Sequence, residues 1–330
     1  MNCPTASRST RPELQNWQEC GKATQGEKTC KVAVSIIESG IRTERNNRTM
    51  ALDKAVRRIG IVGTGAIGAS WAALYLARGF DVIATDPDPG AEANLRHRID
   101  SAWPALKMLG ISPKGSPEHL CFKPDIAAAV SAADFIQESG PEQRDLKIRL
   151  LAEIDEAAPP DSIIASSSEA LTMSQMQTAC KHPERCVIGH PLNPPHIMPL
   201  VEIAAGAGTS AETVRTAIAF YASIGKKPIL LRKEIVGHAA ARLEAALHRE
   251  IAWLIREGVL DEADADTAVC WGPGLSWGAM GDGVAQEAAG QSQQDLVRER
   301  DEALLALVRL RLRVSARPSA KSTRGGRIRR

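Results

Sequence analysis

The chain has 330 residues, 44% hydrophobic and 24% charged, with a net charge of +2. That is enough chain for one or two domains of ordinary soluble composition. The near-neutral charge and 4% aromatic content argue against a nucleic-acid-binding surface, and no apolar run reaches the roughly 18 residues that suggest a membrane span.

Seven scattered cysteines read as reduced thiols in a cytoplasmic chain, and no CxxC or HExxH pattern points to a metal. Residues 1–56 are polar and carry no sustained period. They are expected to be a disordered extension, with Met50 as an alternative translation start.

From Arg58 the pattern sharpens. Ile59-Gly60-Ile61-Val62 suits a buried strand, and Gly63-Thr64-Gly65-Ala66-Ile67-Gly68 follows at once. A helix is expected to Arg78, a stop at Gly79, and a second strand over Phe80–Thr85 closed by Asp86. Strand, glycine turn, helix, strand and acid form a dinucleotide-binding unit. Gly63 permits the tight turn, Gly65 lets a pyrophosphate approach the backbone, and Gly68 lets helix and strand pack closely. The helix N-terminus offers free N–H groups to the phosphates. Asp86 would accept bonds from the ribose hydroxyls and repel a 2′-phosphate, which favours NAD over NADP.

Apolar residues at three- and four-residue spacing predict a helix over 90–109. Strands are expected at 120–122, 135–138, 162–165 and 185–189, with helices near 125–133, 145–151 and 173–180. Such alternation gives a parallel, doubly wound sheet, with ligand chemistry where strands end. The last of these strands runs into Gly189-His190-Pro191-Leu192-Asn193-Pro194-Pro195, and Leu200–Ile203 forms another strand. Prolines make the intervening turn rigid, so His190 and Glu202 can face each other across a hairpin-like connection. An imidazole oriented by a carboxylate suits proton removal from a hydroxyl during hydride transfer. The same residues also suit a core histidine and a solvated glutamate.

These motifs resemble the 3-hydroxyacyl-CoA dehydrogenase superfamily: GTGAIG, SGPE with its downstream lysine, IIASSS and GHPLNPPHIMPLVEI. Within it the chain is most similar to the carnitine dehydrogenase and lambda-crystallin (gulonate 3-dehydrogenase) branch, through HPxNPP and Trp271-Gly272-Pro273-Gly274-Leu275-Ser276-Trp277. The resemblance runs from about Arg58 to Gly281. It implies an α/β fold, a doubly wound Rossmann domain over 57–231, followed by a smaller all-α domain over 232–300 and usually a homodimer. It implies His190 as base, Glu202 as its partner, Asn193 in the site, and Glu142 and Lys147 near the nicotinamide ribose.

Two positions depart from the family pattern. Glu169 stands where relatives place a substrate-contacting serine; a neutral Glu169 in a dry site, or Ser167 or Ser168, could supply the missing hydrogen bond. Ala241 stands where an asparagine amide is expected. Losing one donor of this kind costs about 2.7–4 kcal/mol in oxyanion-hole cases. The resemblance therefore implies NAD-dependent oxidation of a 3-hydroxy acid or acyl thioester, with an NAD-binding protein of impaired catalysis as the alternative.

A strongly amphipathic helix is expected over 237–257, its stripe of Leu243, Leu247, Ile251 and Leu254 reading as core or dimer interface. The similarity fades after Gly281, and residues 301–330 form a basic tail that is either an anion-binding tail or a divergent terminus.

Overall fold

The computed structural model describes residues 56–280 together with 304, 305, 307 and 308. The expectations for 1–55 and for most of the basic tail lie outside the described residues. The described chain falls into two units, one holding 56–270 and one holding Trp271 onward.

In the first unit the order is β1 (Arg58–Val62), α1 (Ala66–Arg78), β2 (Asp81–Thr85), α2 (Ala91–Leu109), β3 (Leu120–Phe122), α3 (Ile126–Val130) and β4 (Phe135–Glu138). There follow α4 (Arg144–Ala157), β5 (Ile163–Ser166), α5 (Met173–Met176), β6 (Cys186–Pro191), β7 (Leu200–Ala205), α6 (Ala211–Ser223) and β8 (Lys227–Leu231). Helices α7 (Ala240–Arg256) and α8 (Glu262–Trp271) complete it. The sheet runs β3-β2-β1-β4-β5-β6-β7-β8.

The first six strands are parallel. Strand β7 returns antiparallel to β6, and β8 lies parallel to β7. The sheet is therefore mostly parallel, as expected, with β6 and β7 antiparallel because the short 192–199 connection has no room for a crossover helix. Helix α6 and strand β8 also add to the predicted elements. Ser210 caps α6 by accepting from Thr213 N, and Val214, Ala217, Phe220 and Tyr221 face the sheet. That cap and spacing are visible in the sequence. Strand β8 is a half-exposed edge strand flanked by lysines and an arginine, so its pattern resembles a linker.

The core lies on both faces of the sheet. One side holds Ile59, Trp71, Tyr75, Phe135, Phe220 and Tyr221, and the other Val62, Ile136, Leu151, Ile154 and Ile188. The Phe135 and Phe220 rings stack at 4.1 Å. Each such buried aromatic contributes roughly 1.5–3 kcal/mol. Tyr221 also explains Gly189: a Cβ there would collide with the Tyr221 hydroxyl, which donates to Gln137 Oε1 at 2.6 Å. Thus α6 packs directly against the residue preceding His190.

Helix α7 is amphipathic as expected, but the reading of its stripe as core does not hold. None of its residues is buried, and Leu243 is 72% exposed. In the second unit, α9 (Pro273–Met280) begins in a turn where Leu275 N donates to Gly272 O.

Candidate active site

The nucleotide end is built by the turn after β1. Gly63 has φ of 90°, a left-handed backbone that suits glycine. A Cβ on Gly68 would collide with Gly63 O, whereas one on Gly65 would meet open space. Gly65 caps α1 without any side-chain bond, which leaves the first-turn N–H groups of Ala66 and Ile67 for a ligand. Asp86 stands at the end of β2, and its Oδ2 accepts from Thr64 N at 2.7 Å and Thr64 Oγ1 at 3.2 Å. The open cradle, free helix end and carboxylate fit a dinucleotide with a 2′-hydroxyl.

Next to this turn, at the ends of β4, β5 and β6, lies a cleft of about 740 Å³. Ile67, Glu142, Lys147, Ser167, Glu169, His190, Asn193, Ala240, Ala241 and Glu244 are among its lining residues. It therefore gathers half of the predicted site residues, while Ser168 and Glu202 are buried, 1% and 0% exposed.

His190 and Glu202 are direct partners across β6 and β7. Their side chains, however, bond elsewhere. His190 Nδ1 lies 3.0 Å from Ser167 O. A carbonyl only accepts, so Nδ1 carries the proton and Nε2 keeps its lone pair. Glu202 Oε1 accepts from the backbone N–H of Ala239 at 2.8 Å and of Ala240 at 3.1 Å, at the start of α7. Glu202 Oε2 has no hydrogen-bond partner among the described residues. The tautomer is thus set by Ser167, while Glu202 acts on the ring through its charge. Burial pushes the His190 imidazole below the ordinary histidine range and His238 adds to this; the Ser167 carbonyl, Glu169 and Glu202 oppose it. The ring is consequently neutral at pH 7 and can take a proton at Nε2.

Lys147 is buried and binds both Glu138 oxygens at 2.9 and 3.0 Å, with Glu142 Oε2 at 3.6 Å. Glu142 accepts from Ser168 Oγ and from Ala170 N at 2.8 Å. Burial pushes the Glu142 carboxyl up, but Ser168, Lys147 and Ala170 outweigh it and hold it below the usual carboxylate range. Neither serine is a ready substitute for the missing donor at position 169. Ser168 Oγ is committed to Glu142. Ser167 Oγ accepts from Trp71 Nε1 at 3.3 Å and Gln137 Nε2 at 2.9 Å and shares a proton with Ser139 Oγ at 2.9 Å.

Three further residues shape the site. Glu244, one turn into α7, adds a carboxylate to the cleft wall. Lys226 is buried beneath the loop that carries Asn193: its Nζ donates to Pro195 O and, at 2.9 Å, to Met198 O, and sits 5.2 Å from the Trp71 ring centre. His238 packs its ring 5.0 Å from that of His190. Sequence spacing could have flagged Glu244 three residues after Ala241. Lys226 and His238 act through backbone carbonyls, which leave no side-chain signature.

A Rossmann-type sheet with a nucleotide turn beside a neutral histidine defines a dinucleotide-dependent oxidoreductase. Residues 58–235 match the family described as 3-hydroxyacyl-CoA dehydrogenase, NAD binding domain. The chain belongs to that family and is an NAD-dependent oxidoreductase of the CH–OH class. It is 45% identical over 241 residues to an L-carnitine dehydrogenase of Pseudomonas aeruginosa, covering 73% of this chain and 75% of the relative. It is 43% identical over 239 residues to an L-carnitine dehydrogenase of Bacillus cereus, covering 72% and 73%. Among solved structures it is similar to a 5-formyl-3-hydroxy-2-methylpyridine 4-carboxylic acid 5-dehydrogenase, described as an NAD+-dependent dismutase. That match has a TM-score of 0.66 and 32% identity, covering 76% of this chain and 81% of the other.

Proposed function

We propose that the chain oxidises the 3-hydroxyl of a short, cationic 3-hydroxy acid of the L-carnitine kind to the 3-keto product. The carrying observation is the charge of the cleft wall. Glu142, Glu169 and Glu244 face it, and its lysine, Lys147, is already paired with Glu138. Such a wall favours a quaternary ammonium and disfavours the phosphates of a coenzyme A thioester. The L-carnitine dehydrogenase relatives support the same substrate. In this reading Glu169 pairs with the substrate's cation.

His190 Nε2 takes the hydroxyl proton, and NAD, held by the turn after β1, would supply the hydride acceptor beside it. The Ser167 carbonyl keeps Nδ1 protonated, so the base is presented in one tautomer. Glu202 stabilises the imidazolium that forms. Glu142 and Lys147 hold the nicotinamide ribose end, and Asn193 contacts the substrate. Thiols that are free at Cys121, Cys180, Cys186 and Cys270 suit a cytoplasmic enzyme. The exposed apolar face of α7 supports pairing with a second copy.

NADH formation with L-carnitine, compared with 3-hydroxybutyryl-CoA and uncharged 3-hydroxybutyrate, tests the reading. Preference for L-carnitine is expected, with Glu169→Gln lowering kcat/KM for it on the order of 10- to 100-fold, as for a desolvated charge pair. Equal rates with and without the cation would end the proposal. A second reading, an NAD-binding protein of impaired catalysis, is favoured by Ala241 and by the committed hydroxyls of Ser167 and Ser168. A gain in rate from Glu169→Ser with Ala241→Asn would select it, because the same pair of changes should harm an enzyme that uses Glu169.

A further inference from the structure

We propose that His238 is a positioning residue for the reaction: it fixes the loop after β5 and thereby holds His190 in its Nδ1-protonated, neutral form. The observation is a run of three consecutive carbonyls. Ser167 O accepts from His190 Nδ1 at 3.0 Å, Ser168 O from His238 Nε2 at 2.9 Å, and Glu169 O from Gly237 N at 3.0 Å. The next two N–H groups, of Ala239 and Ala240, hold Glu202 Oε1. One turn, residues 237–240, thus grips both the loop that orients the base and the carboxylate behind it.

The turn is held in a costly form. His238 has φ of 45°, in the left-handed region that a residue with a Cβ seldom occupies, and Gly237 before it has φ of 74°. Its side chain is 1% exposed, and its buried Nδ1 has no partner among the described residues. Because Ser168 O only accepts, Nε2 carries the proton, and Nδ1 is left as a bare lone pair. A proton on Nδ1 would add a buried charge with an unpartnered N–H, 5.0 Å from the His190 ring. A strained backbone and an orphaned polar atom beside a reacting group are features that packing alone does not call for.

The groups that face His190 are Glu169 from the loop after β5, Glu202 from β7 and His238 from the turn before α7. The two carboxylates favour the imidazolium, while burial and His238 oppose it. Removing His238 leaves the carboxylates with less opposition.

The inference rests on reading His190 as the base, and the experiment separates the two. Ring ¹⁵N spectra of the full chain with labelled histidine, assigned with His190→Gln, read the His190 tautomer and titration midpoint without any substrate. The wild type is expected to show Nδ1–H at His190. His238→Asn suits the left-handed backbone and should raise the midpoint and mix the tautomers. His238→Gly suits that backbone too and guards against a variant that fails to fold. Both should lower kcat on L-carnitine while NADH affinity holds. An unaltered His190 tautomer and midpoint in a folded variant would overturn the role of His238 and leave the base assignment standing. Wild-type protein that turns over nothing would count against the proposed function, yet the spectra would still decide the inference.

Discussion

Lys226 shows how a single buried charge serves the site. Its partners are the carbonyls of Pro195 and Met198, on the loop that also carries Asn193. Burial, with Arg78 adding to it, brings the Lys226 amine down to about 7. An unfolded lysine titrates near 10.4. Between those values the unfolded chain binds a proton that the folded one does not, so this group makes stability rise with pH across that window. Lys226→Met removes the dependence and the two carbonyl bonds together. Urea unfolding at pH 7 and pH 9.5 should show a smaller rise for the variant than for the wild type, and an unchanged rise would contradict the assignment. The neighbouring charges that bear on this measurement are Arg78 and His196, the latter held below the ordinary histidine range by burial and by Lys226 itself.

At the scale of elements, the turn between β1 and α1 has no slack. Gly68→Ala drives a Cβ into Gly63 O, a backbone atom that cannot rotate away. Overpacking of this kind costs about 1–3 kcal/mol or more, so the variant should melt lower and lose NADH binding. A variant that binds NADH like the wild type would mean the turn can open. Helix α7 presents the opposite case. Its apolar face leaves Leu243 72% and Trp253 44% exposed, and large exposed apolar faces mark association sites. Leu243→Glu with Trp253→Glu should convert a dimer to a monomer in light scattering while leaving NADH binding intact. A wild-type monomer would remove the proposed role of this face. The elements that escaped the sequence reading did so for identifiable reasons. The cap at Ser210 and the Val214–Ala217–Phe220 spacing were there to be read, whereas the β8 edge strand buries too little to show an alternating pattern. The antiparallel return of β7 was legible, because the proline-rich connection before it is too short for a crossover helix.

For the molecule as a whole, the nucleotide half was legible because its glycines and Asp86 are demanded by sterics and charge. The half around His190 was legible only as residue types. His190 and Glu202 could be paired by strand register, but the partner that fixes the imidazole is the Ser167 carbonyl, and a main-chain oxygen looks the same in every residue. Binding at the nucleotide end should stabilise the folded chain by linkage. NADH at 100 times its Kd should add about 2.7 kcal/mol to unfolding, while NADPH at the same concentration should add much less, because Asp86 opposes the 2′-phosphate. Equal stabilisation by the two would show that Asp86 does not face the ribose.

The three consecutive carbonyls from Ser167 to Glu169 separate two duties within one short loop. Its main chain holds His190 and the turn before α7, so the side chain at 169 is at liberty to change. A lineage could exchange one substrate for another there without re-inventing the base. Libraries randomised at position 169 alone should accordingly yield folded, NADH-binding proteins with redirected substrate choice, as selection of such libraries on uncharged 3-hydroxy acids would show.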